Sequence, residues 1–375
     1  MGMWGMTMGL PETAGVFLLR IIILMVVPIV AVLLFLIFSR AVGRLPDAGK
    51  KEELKNRSGN FAGGRFRNEN RIRTLTGGKR YSSNRKRPQR RLEADAPAFM
   101  AEPRKEDLTF TWLGHSSVFL QMGGKNVLID PVLGKRSSPV GFIGPERFSQ
   151  IPLKAGEIPE TDIVFISHDH YDHLDYETIM AIQDRVGVFV MPLGLDSVFM
   201  SWNIPSEKIR TLDWWESTEV KGLKLTLTPS QHFSGRNPLK SNSTLWGGLY
   251  ISDGLHNVYY TGDGGYYGVF AAVRERLGAP DLMFAECGQY DPTWADVHMF
   301  PEQTVQAGID AGTSWLVPVH WGSFCICNHA WDDSIRRVTA SAEEAGLPLA
   351  TPRIGQTVCC ENIGDAADKW WEGLR

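Results

Sequence analysis

Apolar residues follow three different patterns along the 375-residue chain. The first is an uninterrupted apolar run over residues 21–38, which Arg20 and further apolar residues precede. The second is a polar stretch over residues 39–105 with few apolar positions. From about Leu108 onwards, short apolar runs alternate with stretches of helical periodicity. The pattern divides the chain into an N-terminal tail (1–15), an apolar helix (16–38), a flexible linker (39–105) and a folded domain (106–375).

The apolar run is long enough to cross a membrane. About 22 residues at ~1.5 Å per residue span ~33 Å, which matches the bilayer core. No small-residue cleavage site follows Phe38, so a signal peptide is not indicated. Only Arg20 precedes the run, whereas a group of cations follows it: Arg40, Arg44, Lys50, Lys51, Lys55 and Arg57. The positive-inside rule therefore predicts a single-pass protein of the bacterial inner membrane, with its C-terminal domain in the cytoplasm.

Five cysteines are present, and they do not resemble a disulfide framework. The number is odd, and Cys325 with Cys327, like Cys359 with Cys360, lie too close in sequence for ordinary bridges. Free thiols fit a reducing compartment, in agreement with a cytoplasmic domain. Cys325 and Cys327 are also potential metal ligands, but no matching second pair accompanies them. Structural thiols are therefore the favoured interpretation.

Charge is distributed unevenly, although the formal net charge is only −3. Residues 40–91, which we call the basic arm, contain 17 Lys or Arg and four acidic residues. The arm has few apolar side chains to offset the entropy of ordering, so it is predicted to be flexible. Nucleic acid and anionic lipid both suit such an arm. The adjacent apolar helix favours lipid, at about 1 kcal/mol per Lys or Arg near the surface, so no specific nucleic acid is expected.

Short alternating or fully apolar runs in the C-terminal part predict a series of strands. They cover residues 108–122, 125–132, 162–168, 186–192, 222–230, 246–252, 257–263, 281–287 and 314–321. Helical periodicity is seen at 175–184, 194–201, 266–277, 301–312 and 332–345. Paired strands interrupted by helices predict a mixed α/β sandwich.

The segment ISHDHYDHLD at 166–175 contains four potential metal ligands within six residues: His168, His170, Asp172 and His173. Imidazole and carboxylate groups suit zinc and related divalent ions. A strand directs His168 and His170 to the same side, and the turn that follows presents Asp172 and His173 to a second ion. A solvated histidine-rich loop is the alternative, but this density of ligands argues against it.

Three further ligands stand at the ends of predicted strands, where the sites of α/β sheets usually lie: His232, Asp263 and His320. They complete two ligand sets. The first ion is predicted to be held by His168, His170 and His232, and the second by Asp172, His173 and His320. Asp263 bridges the two. Zinc is the expected metal at both positions, and manganese or iron also suit the ligands.

With these ligands in this order, the chain resembles the metallo-β-lactamase superfamily. Within it, the closer resemblance is to N-acyl-phosphatidylethanolamine-hydrolysing phospholipase D and its bacterial relatives. It rests on stretches such as TWLGHSSVFLQM, IDPVLGKRSSPVGFIGPERF, TPSQHFSGR, TGDGGY and PVHWGSF, and it runs from about residue 108 to about 330. The resemblance implies an αββα sandwich after the membrane helix. It also implies that Asp130 orients the ligands from behind.

The resemblance implies hydrolysis of a phosphodiester in a membrane lipid. N-acyl phosphatidylethanolamine, or a similar phospholipid, would be cleaved to phosphatidic acid and N-acylethanolamine by a hydroxide that bridges the metals. Besides Asp172 and Asp263, two further catalytic residues are expected. Arg236 would contact phosphate through two hydrogen bonds. His298, placed in the site by the resemblance, would donate a proton. The alternatives are a surface salt bridge for Arg236 and a structural role for His298.

Other functions stay open on the same fold. Glu286 and Gln289 depart from the resembling family, and a polar pocket there would suit a soluble lactone or a nucleotide phosphodiester. A non-catalytic metal-binding scaffold at the membrane is the third alternative, against which the complete ligand set argues. Fold alone does not decide among them. Self-association into a homodimer is left open by the sequence.

Overall fold

Two β-sheets with facing apolar sides form the centre of the fold. The computed structural model describes residues 14–73 and 85–374. Its strands, numbered in chain order, are β1 (Phe61–Ala62), β2 (Arg65–Phe66), β3 (Leu108–Gly114), β4 (Ser117–Met122), β5 (Lys125–Ile129), β6 (Thr161–Phe165), β7 (Val186–Pro192), β8 (Ile209–Leu212), β9 (Ser217–Val220), β10 (Leu223–Thr228), β11 (Gly248–Ser252), β12 (Asn257–Tyr260), β13 (Leu282–Glu286), β14 (Trp315–Val319) and β15 (Thr357–Cys359). The helices are α1 (Ala14–Phe38), α2 (Ala48–Arg57), α3 (Tyr176–Ile182), α4 (Asp196–Ser201), α5 (Val269–Leu277), α6 (Pro301–Ala311) and α7 (Asp333–Ala345).

The strands form one seven-stranded sheet, one six-stranded sheet and a small hairpin. The larger sheet has the order β15-β3-β4-β5-β6-β7-β8, and the other has the order β14-β13-β12-β11-β10-β9. The pairs β5–β6, β6–β7, β12–β13 and β13–β14 are parallel. In each sheet the parallel strands that precede the candidate ligands are therefore neighbours, so their carboxyl ends meet at one edge.

Side chains alternate between two cores, as a buried strand requires. In β4, Val118 and Leu120 pack in the core between the sheets, whereas Phe119 packs with Ile179 of α3 and Phe199 of α4. Helices α5, α6 and α7 contribute apolar residues on the side of the six-stranded sheet. The predicted αββα sandwich is thereby confirmed.

The apolar helix α1 is a candidate membrane span by length and composition. Its segment Arg20–Phe38 has 19 residues and a mean hydropathy of 3.5, and none of it is buried against the rest of the chain. The tail predicted for 1–15 lies outside the described residues up to position 13, whereas Ala14 and Gly15 already belong to the helix.

The prediction of a flexible linker over 39–105 is wrong for most of its described part. Helix α2 begins after Asp47, whose side chain accepts a hydrogen bond from Lys50 N, and the β1–β2 hairpin follows. Five apolar side chains of the segment are buried: Val42, Leu54, Phe61, Phe66 and Leu92. Most of them join the core between the sheets. The folded domain therefore begins close to the end of α1, well before residue 106.

Candidate metal centre

The site lies at the carboxyl ends of strands from both sheets. His115 follows β3, Asp130 follows β5, His168 to His173 follow β6, His232 follows β10, Asp263 follows β12 and His320 follows β14. His115, Asp130 and His320 have positive φ angles of 54°, 40° and 68°. Such angles are uncommon for residues other than glycine and cluster at functional sites, where surrounding contacts hold them.

Close packing holds the loop of His320 in place. A Cβ atom added to Gly288 would lie 1.5 Å from the His320 carbonyl oxygen, so only glycine permits this approach. The backbone N–H of His320 also donates to the carbonyl of His115 over 2.9 Å. The two strand ends that carry these histidines are therefore fixed to each other.

Three histidines form the first ligand group. Nδ1 of His170 lies 2.9 Å from Nε2 of His168 and 3.2 Å from Nε2 of His232. All three ligand atoms lie within 4.8 Å of one another. The structure thus brings together the set predicted for the first ion.

Asp263 lies between this group and the second one. Its Oδ2 atom is 3.1 Å from His173 Nε2 and 3.3 Å from His320 Nε2, and 3.8 Å from the Nε2 atoms of both His168 and His232. One carboxylate oxygen is therefore close to both histidine groups. This is the position that a bridging ligand needs.

Asp172 completes the second group and brings in a histidine that the sequence analysis omitted. Asp172 Oδ2 lies 3.2 Å from His320 Nε2, 3.7 Å from His173 Nε2 and 3.0 Å from His115 Nε2. His115 is fully buried, and its other ring nitrogen has no hydrogen-bond partner among the described residues. The sequence analysis placed His115 inside a single strand over residues 108–122, and only the structure, in which β3 ends at Gly114, shows that it follows a strand directly.

The two ligand groups differ in their protonation. Burial, the largest cause, lowers the pKa of His168 and His232 well below the ordinary imidazole value. Burial also acts on His173 and His320, but Asp263 and Asp172 outweigh it and raise the pKa of His173 well above its ordinary value and that of His320 to about 9. The first group is thus neutral and ready to bind a cation, whereas metal binding at the second displaces protons.

The donor set fits divalent cations. Neutral imidazole nitrogens converge on one point in the first group, and Asp263 Oδ1 is buried without a hydrogen-bond partner among the described residues. Burial raises the pKa of the Asp172 and Asp263 carboxyls, but the surrounding histidines outweigh it and hold both well below their usual range. Buried carboxylates among imidazole nitrogens are stabilised by a bound cation, which takes the place of the protons on His173 and His320. Divalent metal binding follows from this cluster together with the family described below.

Asp130 orients the cluster from behind, the role expected from the resemblance. Its Oδ1 accepts from Ser167 N over 2.7 Å, and its Oδ2 accepts from Ser167 Oγ over 2.5 Å. Oδ2 also contacts His173 Nδ1 at 2.7 Å and the Tyr260 hydroxyl at 2.6 Å. A carboxylate in this position fixes the ring orientation and tautomer of His173, so that Nε2 faces the site. Ser167 and Tyr260 were not identified from the sequence.

Glu286 contacts the site on the side of His320 and His298. It is fully buried, and its Oε1 accepts from Met299 N over 2.6 Å. Its Oε2 lies 3.3 Å from His320 Nδ1 and 3.5 Å from His298 Nδ1. The His298 ring centre is 5.1 Å from that of His232. His298 therefore lies in the site as expected, and Glu286 contacts two of its histidines.

Replacing Glu286 with glutamine tests this contact. We expect Glu286→Gln to weaken metal binding by about 10- to 100-fold, because the carboxylate no longer orients His320. Competition with a chelator on the full chain measures the affinity. Glu302→Gln is the matched control, since Glu302 pairs with Arg337 on the surface of α6. An unchanged chelator titration for Glu286→Gln would exclude the orienting role.

Arg236 does not contact the metal cluster through its guanidinium, and the predicted phosphate contact is wrong. The group is fully buried and donates to four backbone carbonyls. Nε and Nη2 reach Ala41 O, Nε also reaches Val42 O, and Nη1 reaches Asp169 O and Leu174 O. A guanidinium has five N–H donors in a fixed fork, and these carbonyls accept from all three of its nitrogens. Arg236 therefore ties the chain just after α1 to the metal-binding loop.

An open cavity of ≈ 370 Å³ leads to the cluster. Its wall includes Asp172, Asp263, His298 and His320 and the apolar residues Phe233, Trp294, Val297 and Ile326. A reactant held there contacts both metal-ligating groups and apolar side chains.

Comparison with known proteins agrees with this geometry. A family model described as "Beta-lactamase superfamily domain" matches residues 125–321. An uncharacterised protein of Mycobacterium tuberculosis (strain ATCC 25618 / H37Rv) is 40% identical over 258 residues, which cover 67% of this chain and 68% of that protein. The mitochondrial N-acyl-phosphatidylethanolamine-hydrolyzing phospholipase D of Saccharomyces cerevisiae is 30% identical over 261 residues, which cover 66% of this chain and 55% of that protein.

Solved structures agree on the fold. A metallo hydrolase of the archaeon Ignicoccus hospitalis superposes with a TM-score of 0.50 at 22% identity, covering 67% of this chain and 97% of that one. The matched family segment contains most of the clustered ligands, from Asp130 to His320. The chain belongs to the metallo-β-lactamase superfamily, and it is a metal-dependent hydrolase of that superfamily.

Proposed function

We propose that this hydrolase is a phospholipase D-type phosphodiesterase that cleaves N-acyl phosphatidylethanolamine or a similar phospholipid. The observation that carries the proposal is a cavity lined both by the metal cluster and by apolar side chains, next to a loop that reaches the segment after α1. The similarity to the yeast phospholipase supports the same reaction. The products are phosphatidic acid and N-acylethanolamine.

The loop over residues 134–148 connects the cavity with the end of the apolar helix. Ser137 and Pro145, near its two ends, line the cavity at the metal cluster. Val140 and Gly141, near its tip, line a neighbouring cavity of ≈ 390 Å³ together with Ala41, three residues after α1. The opening of the metal-site cavity and the C-terminal end of α1 therefore lie on one face of the domain.

This face exposes apolar and cationic side chains together. Phe142 is 78% exposed and Ile143 is 62% exposed at the tip of the loop. Arg40, Arg44 and Lys135 are exposed nearby in the same two segments. Apolar side chains beside cations suit the interface of an anionic bilayer. A phospholipid in that bilayer can present its phosphate to the cluster while its chains contact apolar residues.

The chain's own residues have definite parts in the reaction. When bound, two divalent cations, which we propose are zinc, lower the pKa of water and neutralise charge on phosphoryl oxygens. Asp263 lies between the two ligand groups and fixes their relative position, and Asp172 is a ligand of the second group. His298, backed by Glu286, lies in the cavity wall and can donate a proton to the leaving oxygen. Trp294 and Phe233 exclude water from the apolar side.

The alternative of a soluble substrate depended on Glu286 and Gln289, and both side chains are engaged within the protein. Glu286 is engaged with Met299 N and two histidines. The Gln289 amide nitrogen donates to the carbonyls of His320 and Phe324, and its oxygen accepts from the backbone N–H groups of Ile326 and Cys327. Neither side chain is free to bind a polar substrate.

For localisation, we propose that α1 spans the inner membrane with the hydrolase domain on the cytoplasmic side.

The test uses the full chain in lipid nanodiscs, because a fragment from residue 100 would lack residues buried in the core. After metal quantification, it is assayed with N-acyl phosphatidylethanolamine and with a soluble bis-aryl phosphodiester. Cleavage of the lipid to N-acylethanolamine, lost on chelation and restored by zinc, is the expected result. Cleavage of the aryl ester alone would retain the hydrolase and refute the lipid substrate.

Substitutions at the loop tip test the membrane-facing geometry. We expect Phe142→Asp with Ile143→Asp to raise KM for the lipid about tenfold, equivalent to about 1.4 kcal/mol, and to leave hydrolysis of the aryl ester unchanged. Charged groups there would be repelled by the bilayer interior. Leu255→Asp is the control, since Leu255 is 67% exposed in the turn between β11 and β12. Equal effects of the loop and control substitutions would contradict the proposed orientation.

A further inference from the structure

The loop that follows His320 carries two thiols and an imidazole on alternate positions. The Sγ atoms of Cys325 and Cys327 are 3.9 Å apart, and Cys327 Sγ is 3.0 Å from His329 Nε2. His329 Nδ1 lies 2.8 Å from the Ala330 carbonyl, so a proton on Nδ1 leaves Nε2 unprotonated and able to take the Cys327 proton during a reaction. Cys325 is partly exposed, whereas Cys327 and His329 are buried. The three groups form a row from the surface inwards.

The basic sequence RKRP at 85–88, which the metal centre does not use, packs against this loop. Trp331 N donates to Arg85 O over 3.0 Å, and Lys86 Nζ donates to Asn328 Oδ1 over 2.5 Å. The hydrogen bond from Cys327 lowers the pKa of the Cys325 thiol below its ordinary value, and Lys86 and Arg87 lower it further. The same hydrogen bond and burial raise the pKa of Cys327. Cys325 is thus the more reactive thiol.

We propose that Cys325 and Cys327 form a thiol–disulfide exchange site whose co-reactant is a low-molecular-weight disulfide, with Cys325 as the attacking and Cys327 as the resolving thiol. The assignment rests on the contact between the two sulfurs, the exposure of only one of them, and the cations placed beside it. It is independent of the lipid substrate.

The thiol–disulfide exchange takes two steps, in which atoms and electrons balance. The Cys325 thiolate attacks one sulfur of the small disulfide, forms a mixed disulfide and releases one thiolate. That thiolate takes the Cys327 proton, by way of His329 Nε2 or directly. Cys327 then attacks Cys325 Sγ, forms the intramolecular bond and releases the second thiolate. The protein loses two electrons, and the small disulfide gains them.

Formation of the Cys325–Cys327 disulfide would change the shape of the metal-site cavity. The two sulfurs must approach from 3.9 Å to about 2.05 Å, and Ile326 lies between them in the chain. Ile326 lines the cavity, and its N–H donates over 2.8 Å to Gln289, which also holds the His320 carbonyl. A bridge across a single residue is strained, and strained bridges are the readily reduced ones. The modification is therefore reversible and changes one wall of the site.

The experiment uses the reduced, metal-loaded full chain in nanodiscs, treated with glutathione disulfide. Remaining thiols are trapped with N-ethylmaleimide and mapped by mass spectrometry. We expect Cys325 to react at least about tenfold faster than Cys359, which is also partly exposed, and to end as a bridge to Cys327. Cys327→Ser should retain glutathione on Cys325, and Cys325→Ser should leave Cys327 reduced. Lys86→Gln should slow the reaction, whereas Arg90→Gln, a change of an exposed arginine in the same basic run, should not.

Two outcomes would overturn the proposal. One is a Cys325 that reacts no faster than Cys359. The other is a Cys325→Ser variant whose Cys327 is still modified, because Cys327 would then be accessible by itself. Metal content and circular dichroism of each variant identify any loss of folding, and the Cys359 rate within the same molecule serves as an internal reference that such loss would also change.

Discussion

Asp263→Asn is expected to reduce turnover by about a thousandfold and to lower the metal content from two ions to one per chain. The carboxylate Oδ2 lies within 3.8 Å of four histidine nitrogens in both ligand groups. An amide has the same shape but no negative charge, so it cannot neutralise two cations at this distance. Preorganised charge of this kind contributes about 10²–10³ in rate per group at other hydrolytic sites. Metal analysis and steady-state kinetics on the full chain measure both quantities.

Asp162→Asn is the control for this substitution. Asp162 is at the opposite end of β6 and pairs with Lys221 at the surface, so its loss should leave turnover and metal content unchanged. Near-normal turnover of Asp263→Asn with two bound ions would show that the carboxylate is not a bridge.

Arg236→Met is expected to destabilise the protein by about 3–5 kcal/mol, because each buried carbonyl left without its donor costs about 1–3 kcal/mol and such costs are not fully additive. Four backbone carbonyls would lose their donor, two in the segment after α1 and two in the metal-binding loop. The melting temperature of the full chain should fall by about 10 °C. Arg236→Lys should not restore it, since an ammonium group cannot match the guanidinium fork.

The contrary hypothesis makes the opposite prediction for the same variant. If Arg236 bound phosphate, Arg236→Met would keep its melting temperature and raise KM for phosphodiesters. Thermal unfolding followed by tryptophan fluorescence, together with KM for the aryl ester, separates the two. Protease sensitivity near residues 40–45 should also rise, because Ala41 and Val42 would be released.

The elements that the sequence predicted well are those with a clear period. Strand β7 was predicted with its observed bounds, and α7 differs from its prediction by one residue. His168, His170, Asp172 and His173 were predictable from their density in one short segment, and His232, Asp263 and His320 from their positions shortly after predicted strands. The strands β8, β9 and β15 were not predicted, since each has only three or four residues.

Long-range contacts explain the remaining errors. Helix α2 has a single buried residue, Leu54, so its sequence shows no apolar stripe, yet that residue enters the central core. Arg236 follows His232 by four residues, and only the fold shows that its guanidinium turns towards Ala41. His115 was hidden inside a strand predicted over residues 108–122, and its contact with Asp172 depends on how β3 and the metal-binding loop pack.

The short connection between α1 and the domain determines how the enzyme meets its substrate. Ala41, whose carbonyl accepts from Arg236, is the third residue after Phe38, the end of the helix, and an extended chain covers at most about 3.6 Å per residue. With α1 spanning the bilayer as proposed, Ala41 stays within about 10 Å of the end of the helix, which holds the domain at the membrane surface. A phospholipid substrate would then be encountered by lateral diffusion in two dimensions. The rate should follow the mole fraction of substrate in the membrane, and bulk lipid concentration should have no effect on it.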